Sequence, residues 1–247
     1  MAAKVIKEFI GFSGNQIYLM KKDRLFVRKS GNVLRNVERM YALEHLLPMP
    51  KIYQYSKNKF DMEYINGLDM KSYLKSYSYD HLLNFILATL DKLSQNKTLK
   101  DYTEIYQTKL DEIDFSNAEF TKDDLLESLP KQLPQTNYFG DFTLENILFH
   151  EQRGFMMIDG QTSDYDSYIF DIAKLRQDLE CHWFMRHSPI RIDVKLQHIQ
   201  QGIFEQYPEA DNVYLLILML MRVSRYAKHG SFEYNYLIDR ANTLWKL

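Results

Sequence analysis

Three residues have side chains and a spacing suited to phosphoryl transfer. The stretch Phe139-Gly140-Asp141-Phe142-Thr143-Leu144-Glu145-Asn146-Ile147-Leu148-Phe149 carries Asp141 and, five residues on, Asn146. Thirteen residues later, Asp159 closes the apolar run Met156-Met157-Ile158-Asp159-Gly160. Phosphoryl transfer needs one carboxylate that orients an attacking hydroxyl and accepts its proton, and oxygen ligands that hold magnesium on the phosphates. Asp141 suits the first task, Asn146 and Asp159 the second. A hairpin between Ile147–Phe149 and Phe155–Ile158, turning through Gln152-Arg153-Gly154, would bring all three to one end. The Asp-x4-Asn spacing alone says little, because it recurs at Asp61/Asn66 and Asp91/Asn96. Its weight comes from context: Gly140 before the aspartate, an apolar strand after the asparagine, and Asp159-Gly160 ending the partner strand.

Positioning those groups falls to two differently patterned parts of the chain. Residues 4–29 read as strand, glycine turn (Gly11-Phe12-Ser13-Gly14), strand, polar turn, and strand over Leu25 to Lys29. Val33, Val37, Met40, Leu43 and Leu47 have helical spacing, and Pro48 and Pro50 end that helix. Residues 51–65 read as two further strands, followed by an Asn66-Gly67 turn or hinge. Beyond Gly67 the pattern is mostly helical, beginning with the apolar face of Leu82, Leu83, Phe85, Ile86, Leu90 and Leu93. Pro130 and Pro134 bracket a loop, residues 138–160 are hairpin-like, and helical patterns fill 167–187, 192–206, 210–228 and 232–246. Val213 to Val223 is the longest apolar run, too short to span a bilayer, and reads as a buried helix.

These segments together resemble the aminoglycoside phosphotransferase and choline kinase superfamily, small-molecule relatives of the protein kinases. The stretch around Asp141 and Asn146 is similar to that family's catalytic loop. Ile158-Asp159-Gly160-Gln161, Asp166 and Phe170-Asp171-Ile172-Ala173-Lys174-Leu175 are similar to its "IDWE…GDP…DLA" run. The resemblance implies that Asp141 is catalytic, that Asn146 and Asp159 bind magnesium, that Asp171 braces the catalytic loop, and that Asp166 helps shape it. Phe139 departs from the family, which usually has His there, and this bears on local packing. Gly11-Phe12-Ser13-Gly14-Asn15-Gln16-Ile17-Tyr18 resembles the nucleotide loop "G-x-S-G-x-x-V-Y", so Gly11, Ser13, Gly14 and Asn15 are expected to contact the ATP phosphates.

The third strand should supply a cation to those phosphates. Both Arg28 and Lys29 match, but consecutive strand residues face opposite ways and only one can serve; strand alternation favours Lys29. Glu38, on the following helix, is its expected acidic partner, with Glu44 the competitor. Met62-Glu63-Tyr64-Ile65-Asn66-Gly67 resembles the segment whose backbone, at Glu63 and Ile65, bonds adenine. Asp178 lies seven residues beyond Asp171 on roughly the same helix face and is read either as facing the acceptor or as a solvated charge.

Composition narrows the surroundings. The chain has 247 residues, 45% hydrophobic and 26% charged, with a formal net charge of −2. That supplies a core but no basic field, which argues against nucleic acid as a partner. No segment reads as a membrane span or a signal peptide. The seven histidines show no paired ligand spacing, so zinc is not expected. Cys181 is the single cysteine, which excludes an intrachain disulfide, reads as a packing thiol and fits a reducing, cytoplasmic setting.

The expected fold is α+β and bilobal, kinase-like: a small sheet-plus-helix lobe over 1–65 that binds nucleotide, and a mainly helical lobe over 66–247 with the catalytic loop and acceptor-binding helices. The expected function is ATP- and Mg2+-dependent transfer of the γ-phosphate to a hydroxyl of a sugar, amino sugar or amino alcohol. The alternative is a catalytically silent kinase-like nucleotide-binding or interaction module.

Overall fold

A computed structural model describes residues 3–9, 14–95 and 97–247. Strands β1 (Lys4–Phe9), β2 (Gln16–Lys21) and β3 (Leu25–Ser30) lead into helix α1 (Leu34–Leu43), then β4 (Ile52–Ser56), β5 (Lys59–Glu63) and the short β6 (Leu68–Asp69). The chain continues with α2 (Met70–Ser76), α3 (Asp80–Leu93), β7 (Thr98–Asp101), α4 (Thr103–Leu110), α5 (Lys122–Ser128) and β8 (Gln132–Gln135). The hairpin β9 (Ile147–His150) and β10 (Gly154–Met157) follows, then α6 (Tyr168–Leu179), α7 (Asp193–Gln206), α8 (Val213–Ser224) and α9 (Phe232–Trp245). The fold is therefore α+β, with an N-terminal antiparallel sheet and a helical C-terminal part.

Two compact units contain these elements. The first is Met1–Tyr73 with Glu145–Thr162; the second is Leu74–Leu144 with Ser163–Leu247. Sequence order alone leaves the β9–β10 hairpin with the helices. It groups with the N-terminal strands because β6 pairs with β9, Leu68 opposite Phe149, and because Met157 N–H donates to Pro48 O at 2.8 Å.

In the first unit, five antiparallel strands run in the order β1-β2-β3-β5-β4. Helix α1 exists because one stripe is apolar: Val33, Val37, Met40 and Leu43 are all essentially buried. Removing such a stripe from water at about 25 cal/mol per Å² supplies most of the helix's stability, since ten residues are marginal alone. On the first unit's other strands, Tyr73 packs its ring against Phe149 and Phe155.

The second unit is built around α6 and α8. Leu215 through Met221 on α8 are all fully buried, so this helix is apolar all round. It packs against α6 and α9, while α3 packs against α7. The 130–134 segment departs from expectation. Pro134 lies within β8, opposite Leu99 of β7, in a two-stranded sheet. Both strands are edges there, and an edge accommodates proline's missing donor. Among the described residues no helix is long and apolar enough to cross a membrane.

Candidate active site

In the first unit the candidate groups gather on Asp159. The β9–β10 ladder ends with Ile147 opposite Met157, and Ile158 N–H then donates to Asn146 O at 2.9 Å. Asn146 and Asp159 therefore stand together at the open end of the hairpin. Asp159 has φ of +64°, a left-handed conformation that aspartate tolerates better than most residues and that marks functional turns.

Lys29 Nζ lies 2.5 Å from Asp159 Oδ1. The register explains why Lys29 and not Arg28 is there. On β3, Arg28 stands opposite Asp61 and Lys29 opposite Phe60 of β5, so their side chains leave by opposite faces. Arg28 Nε and Nη2 bond Asp61 Oδ1 and Oδ2 at 2.6 and 2.7 Å, a bidentate pair that Gln54 Nε2 completes at 2.5 Å. The Asp61 hydrogen bond raises the Arg28 pKa further, against the lowering effect of burial. Lys29 is 2% exposed, and a buried ammonium needs the partner Asp159 provides.

Glu38 does not take the expected part. It is exposed on α1, and among the described residues no ion pair joins it to Lys29. The residue α1 turns inward is Asn36, which is 2% exposed and donates from Nδ2 to Asp159 Oδ1 at 2.8 Å and to Gly160 O at 3.1 Å. The reason is helical phase. Asn36 is three residues after Val33 and four before Met40, on the buried stripe, whereas Glu38 points away from it.

Gly11 and Ser13 lie outside the described residues. Gly14 has φ of +71°, which favours glycine, and Asn15 Oδ1 accepts the Asn32 N–H at 2.9 Å. Glu63 ends β5, with its N–H donated to Lys51 O at 2.8 Å and its carboxylate 2.7 Å from Arg153 Nη1. Ile65 is buried in the irregular segment that follows.

In the second unit the loop carrying Asp141 is braced from α6. Gly140 sits at φ of +90°, a conformation open to glycine, and its N–H donates to Asp171 Oδ1 at 2.8 Å. The Phe139 N–H donates to Asp171 Oδ2 at 2.5 Å. The Phe139 ring is fully buried, 5.9 Å from that of Phe142, so the phenylalanine is a packing residue of the loop. Asp178, two turns along α6, is neither solvated nor facing outward. It is fully buried and accepts the Leu144 N–H at 2.7 Å and the Phe184 N–H at 3.0 Å. The two aspartates of α6 thus hold both ends of the loop.

Asp166 accepts Lys100 Nζ at 2.7 Å, the Tyr102 hydroxyl at 2.9 Å and Gln135 Nε2 at 2.5 Å. Burial works against its charge, but these donors outweigh burial and hold its carboxyl below the usual range. Two cations of the second unit were given no role in the sequence reading. Lys174 Nζ on α6 lies 3.3 Å from Asp141 Oδ1. Arg222 on α8 stacks over the Tyr165 ring at 4.3 Å, and burial lowers its pKa. Lys174 falls one turn after Asp171, a phase that could have flagged it. Cys181 is buried, and burial pushes its thiol up to about 12, as suits a packing residue rather than a nucleophile.

No cluster of three or more His, Cys, Asp or Glu among the described residues forms a self-contained metal site. The oxygen donors Asn146 and Asp159 do suit magnesium, which takes one or two protein ligands and completes its shell with water and phosphate oxygens.

A sheet bearing a buried lysine paired with a hairpin-end aspartate, together with a helical unit that braces a Gly-Asp loop, defines a kinase-like fold. The chain belongs to the phosphotransferase enzyme family, whose model matches residues 14–201. Among solved structures it is similar to an aminoglycoside phosphotransferase held in a ternary complex with ADP and hygromycin B, at 12% identity over 99% of this chain and 94% of that one, with a TM-score of 0.66. It is also similar to a choline kinase from Streptococcus pneumoniae (15% identity, 100% and 94% covered, TM-score 0.65) and to a glucosamine kinase (10%, 100% and 94%, TM-score 0.58). No curated protein sequence matches it.

Proposed function

We propose that this protein transfers the γ-phosphate of ATP to a hydroxyl of a small polar metabolite, in the class of sugars, amino sugars and amino alcohols. The observation that carries the reading is the convergence of Lys29 and Asn36 on Asp159, at the hairpin end that also holds Asn146. A buried cation, an amide and a carboxylate are the parts a triphosphate with its magnesium requires. The solved structures it resembles include proteins crystallised with ADP and AMP, and kinases of choline and glucosamine.

Residues 1–65 would bind nucleotide, through Gly11, Ser13, Gly14, Asn15 and Lys29 at the phosphates and the Glu63 and Ile65 backbone at adenine. Residues 66–247 would supply the catalytic loop and the acceptor helices. Asn146 and Asp159 would hold Mg2+, which supplies charge neutralisation on the phosphates when bound. Asp141 orients the acceptor hydroxyl and takes its proton as the acceptor oxygen bonds phosphorus and the bond from the γ-phosphorus to its bridging oxygen breaks, releasing ADP. The Asp171 brace fixes the position of Asp141, which is where most of the rate enhancement of such a site arises. The single buried cysteine suits a cytoplasmic setting.

The test is product analysis by mass spectrometry. The purified chain is incubated with ATP, magnesium and a panel of sugars, amino sugars and amino alcohols. Phosphorylated product with Asp141-dependent turnover is expected. A folded, ATP-binding protein that phosphorylates none of them, or that modifies only a protein, would overturn the reading.

A further inference from the structure

One face of α6 is turned on the loop that carries Asp141. Asp171, Lys174 and Asp178 follow one another at intervals of three and four residues, the spacing that aligns side chains along a helix. Asp171 accepts the Phe139 and Gly140 N–H groups, and Asp178 accepts the Leu144 N–H. Within the loop, the Thr143 N–H donates to Asp141 O at 3.0 Å. All of these bonds end on main-chain atoms of the loop. They place the backbone of Asp141 and do not by themselves fix the rotamer of its side chain.

Lys174 acts on the carboxylate itself. Its Nζ lies 3.3 Å from Asp141 Oδ1, with the lysine side chain 15% exposed and the aspartate side chain 27% exposed. Ion pairs between freely solvated side chains contribute little, because water serves each partner nearly as well. A lysine withdrawn this far from water is different: its ammonium needs a partner, and Asp141 supplies one. Both residues also start from rigid supports, the lysine from a helix buried nearly throughout and the aspartate from the braced loop. Pairing them therefore costs less entropy than ordering two mobile side chains. An aspartate that must aim its carboxylate at a hydroxyl gains from such a contact, because a displacement of about 1 Å can cost about a hundredfold in rate.

We propose that Lys174 is a positioning residue for the reaction, holding Asp141 in the rotamer from which its carboxylate engages the acceptor hydroxyl. This rests on the phosphotransferase reading above and deepens it. The chemical step is unchanged: the hydroxyl proton goes to Asp141, the acceptor oxygen bonds the γ-phosphorus, ADP leaves, and Lys174 exchanges no proton. Helix α6 then serves the loop in two ways, fixing its main chain through Asp171 and Asp178 and its reacting side chain through Lys174. A lysine that only filled space would act without regard to what stands at position 141. A positioning lysine acts through the carboxylate and loses its effect when the carboxylate is gone.

The experiment is a double-mutant cycle on the full chain with ATP and magnesium, using the acceptor that the parent phosphorylates fastest in a panel containing glucose, glucosamine and choline. Lys174→Met keeps most of the side-chain volume and removes the charge. It should lower kcat by about tenfold or more, with KM for ATP and for the acceptor within about twofold of the parent. Lys174→Arg keeps the charge and should recover most of that loss. In the Asp141→Ala background, Lys174→Met should cost less than about twofold further. Equal losses in the two backgrounds, a kcat for Lys174→Met within about twofold of the parent, or a Lys174→Arg protein as slow as Lys174→Met would each overturn the proposal. Lys174→Gln carries the same comparison where Lys174→Met does not fold. A parent that phosphorylates nothing in the panel overturns the transferase reading and this proposal together, whereas an active parent with any of those three results overturns the proposal alone.

Discussion

Lys29 and Asp159 stand 130 positions apart in sequence, and their side chains meet at 2.5 Å. The contact joins the central strand of the sheet to the end of the β9–β10 hairpin. Neither side chain is placed by chance: strand alternation sends Lys29 to the face opposite Arg28, and the hairpin register delivers Asp159 beside Asn146.

The first prediction separates the two cations of β3. Lys29→Ala removes the cation proposed for the phosphates and leaves Asp159 with Asn36 as its side-chain donor, so turnover should fall by about a hundredfold or more. Arg28→Ala should act on stability. It leaves Asp61, 4% exposed, with Gln54 as its remaining side-chain donor, and hydrogen bonds to charged groups are worth about 1.5–3 kcal/mol. Steady-state kinetics and urea melts of both variants check this. Loss of turnover in a folded Arg28→Ala protein would move the phosphate contact to Arg28.

The second prediction concerns Asn36 and Glu38. Asn36 holds Asp159 and Gly160 from the buried face of α1. Asn36→Ala should weaken magnesium-dependent ATP binding by about tenfold, the scale seen when a residue supporting a metal ligand is lost. Glu38→Ala should leave ATP affinity within about twofold, because an exposed surface substitution seldom moves more than about 0.5 kcal/mol. Titration calorimetry of both variants, with Asp159→Asn as reference, measures the difference.

The third prediction is a pH dependence. Asp166 has a carboxyl held below its unfolded value of about 3.9. A depressed pKa means the folded state prefers the charged form. The stabilisation is therefore fully present above about pH 4 and is lost as pH falls through the folded value. Asp166→Asn should lower the melting temperature at pH 7, and the gap from the parent should close as pH falls from the unfolded value of about 3.9 through the lower folded one. A gap that stays constant across that range would assign the effect of the variant to packing rather than charge.

Much of this arrangement was legible before any coordinates. Strand alternation raised Lys29 above Arg28, and the 3.6-residue period placed α1, α3 and α7 to α9 within about four residues, because those signals are local; the helical pattern read over 167–187 instead ends with α6 at Leu179. What escaped depended on the partner of a helix face. Asn36 is a polar residue on the stripe of Val33, Val37 and Met40, and a buried polar group on an apolar face needs a fixed partner. That signal was present, but its meaning required Asp159, 123 residues away. Asp178 shares a face with Asp171, yet no local rule says that this face points inward; α6 is buried nearly throughout because α7, α8 and β8 all pack against it. The strand β8 was hidden by Pro134, whose tolerance depends on the edge position of the strand.

The final prediction divides labour between Asp141 and Asp159. Asp159 belongs to the group that includes Lys29, Asn36 and, at the hairpin end, Asn146, all suited to a triphosphate and its magnesium. Asp141 belongs to the Gly140 loop that Asp171 braces and lies against Lys174. Asp159→Ala should therefore weaken magnesium-dependent ATP binding, because a carboxylate ligand is gone and Lys29 is left buried without its partner. Asp141→Ala should leave the affinity for ATP nearly unchanged and lower kcat by about a hundredfold or more, the usual scale for a positioned general base. The Asp171 bonds to Phe139 and Gly140 go to backbone N–H groups, so they survive truncation of the Asp141 side chain and the loop should stay in place. Calorimetric ATP titrations with and without magnesium, set beside single-turnover rates, report the two roles separately. If both variants stay folded and lose ATP affinity to the same extent, Asp141 binds nucleotide and the division of roles is wrong.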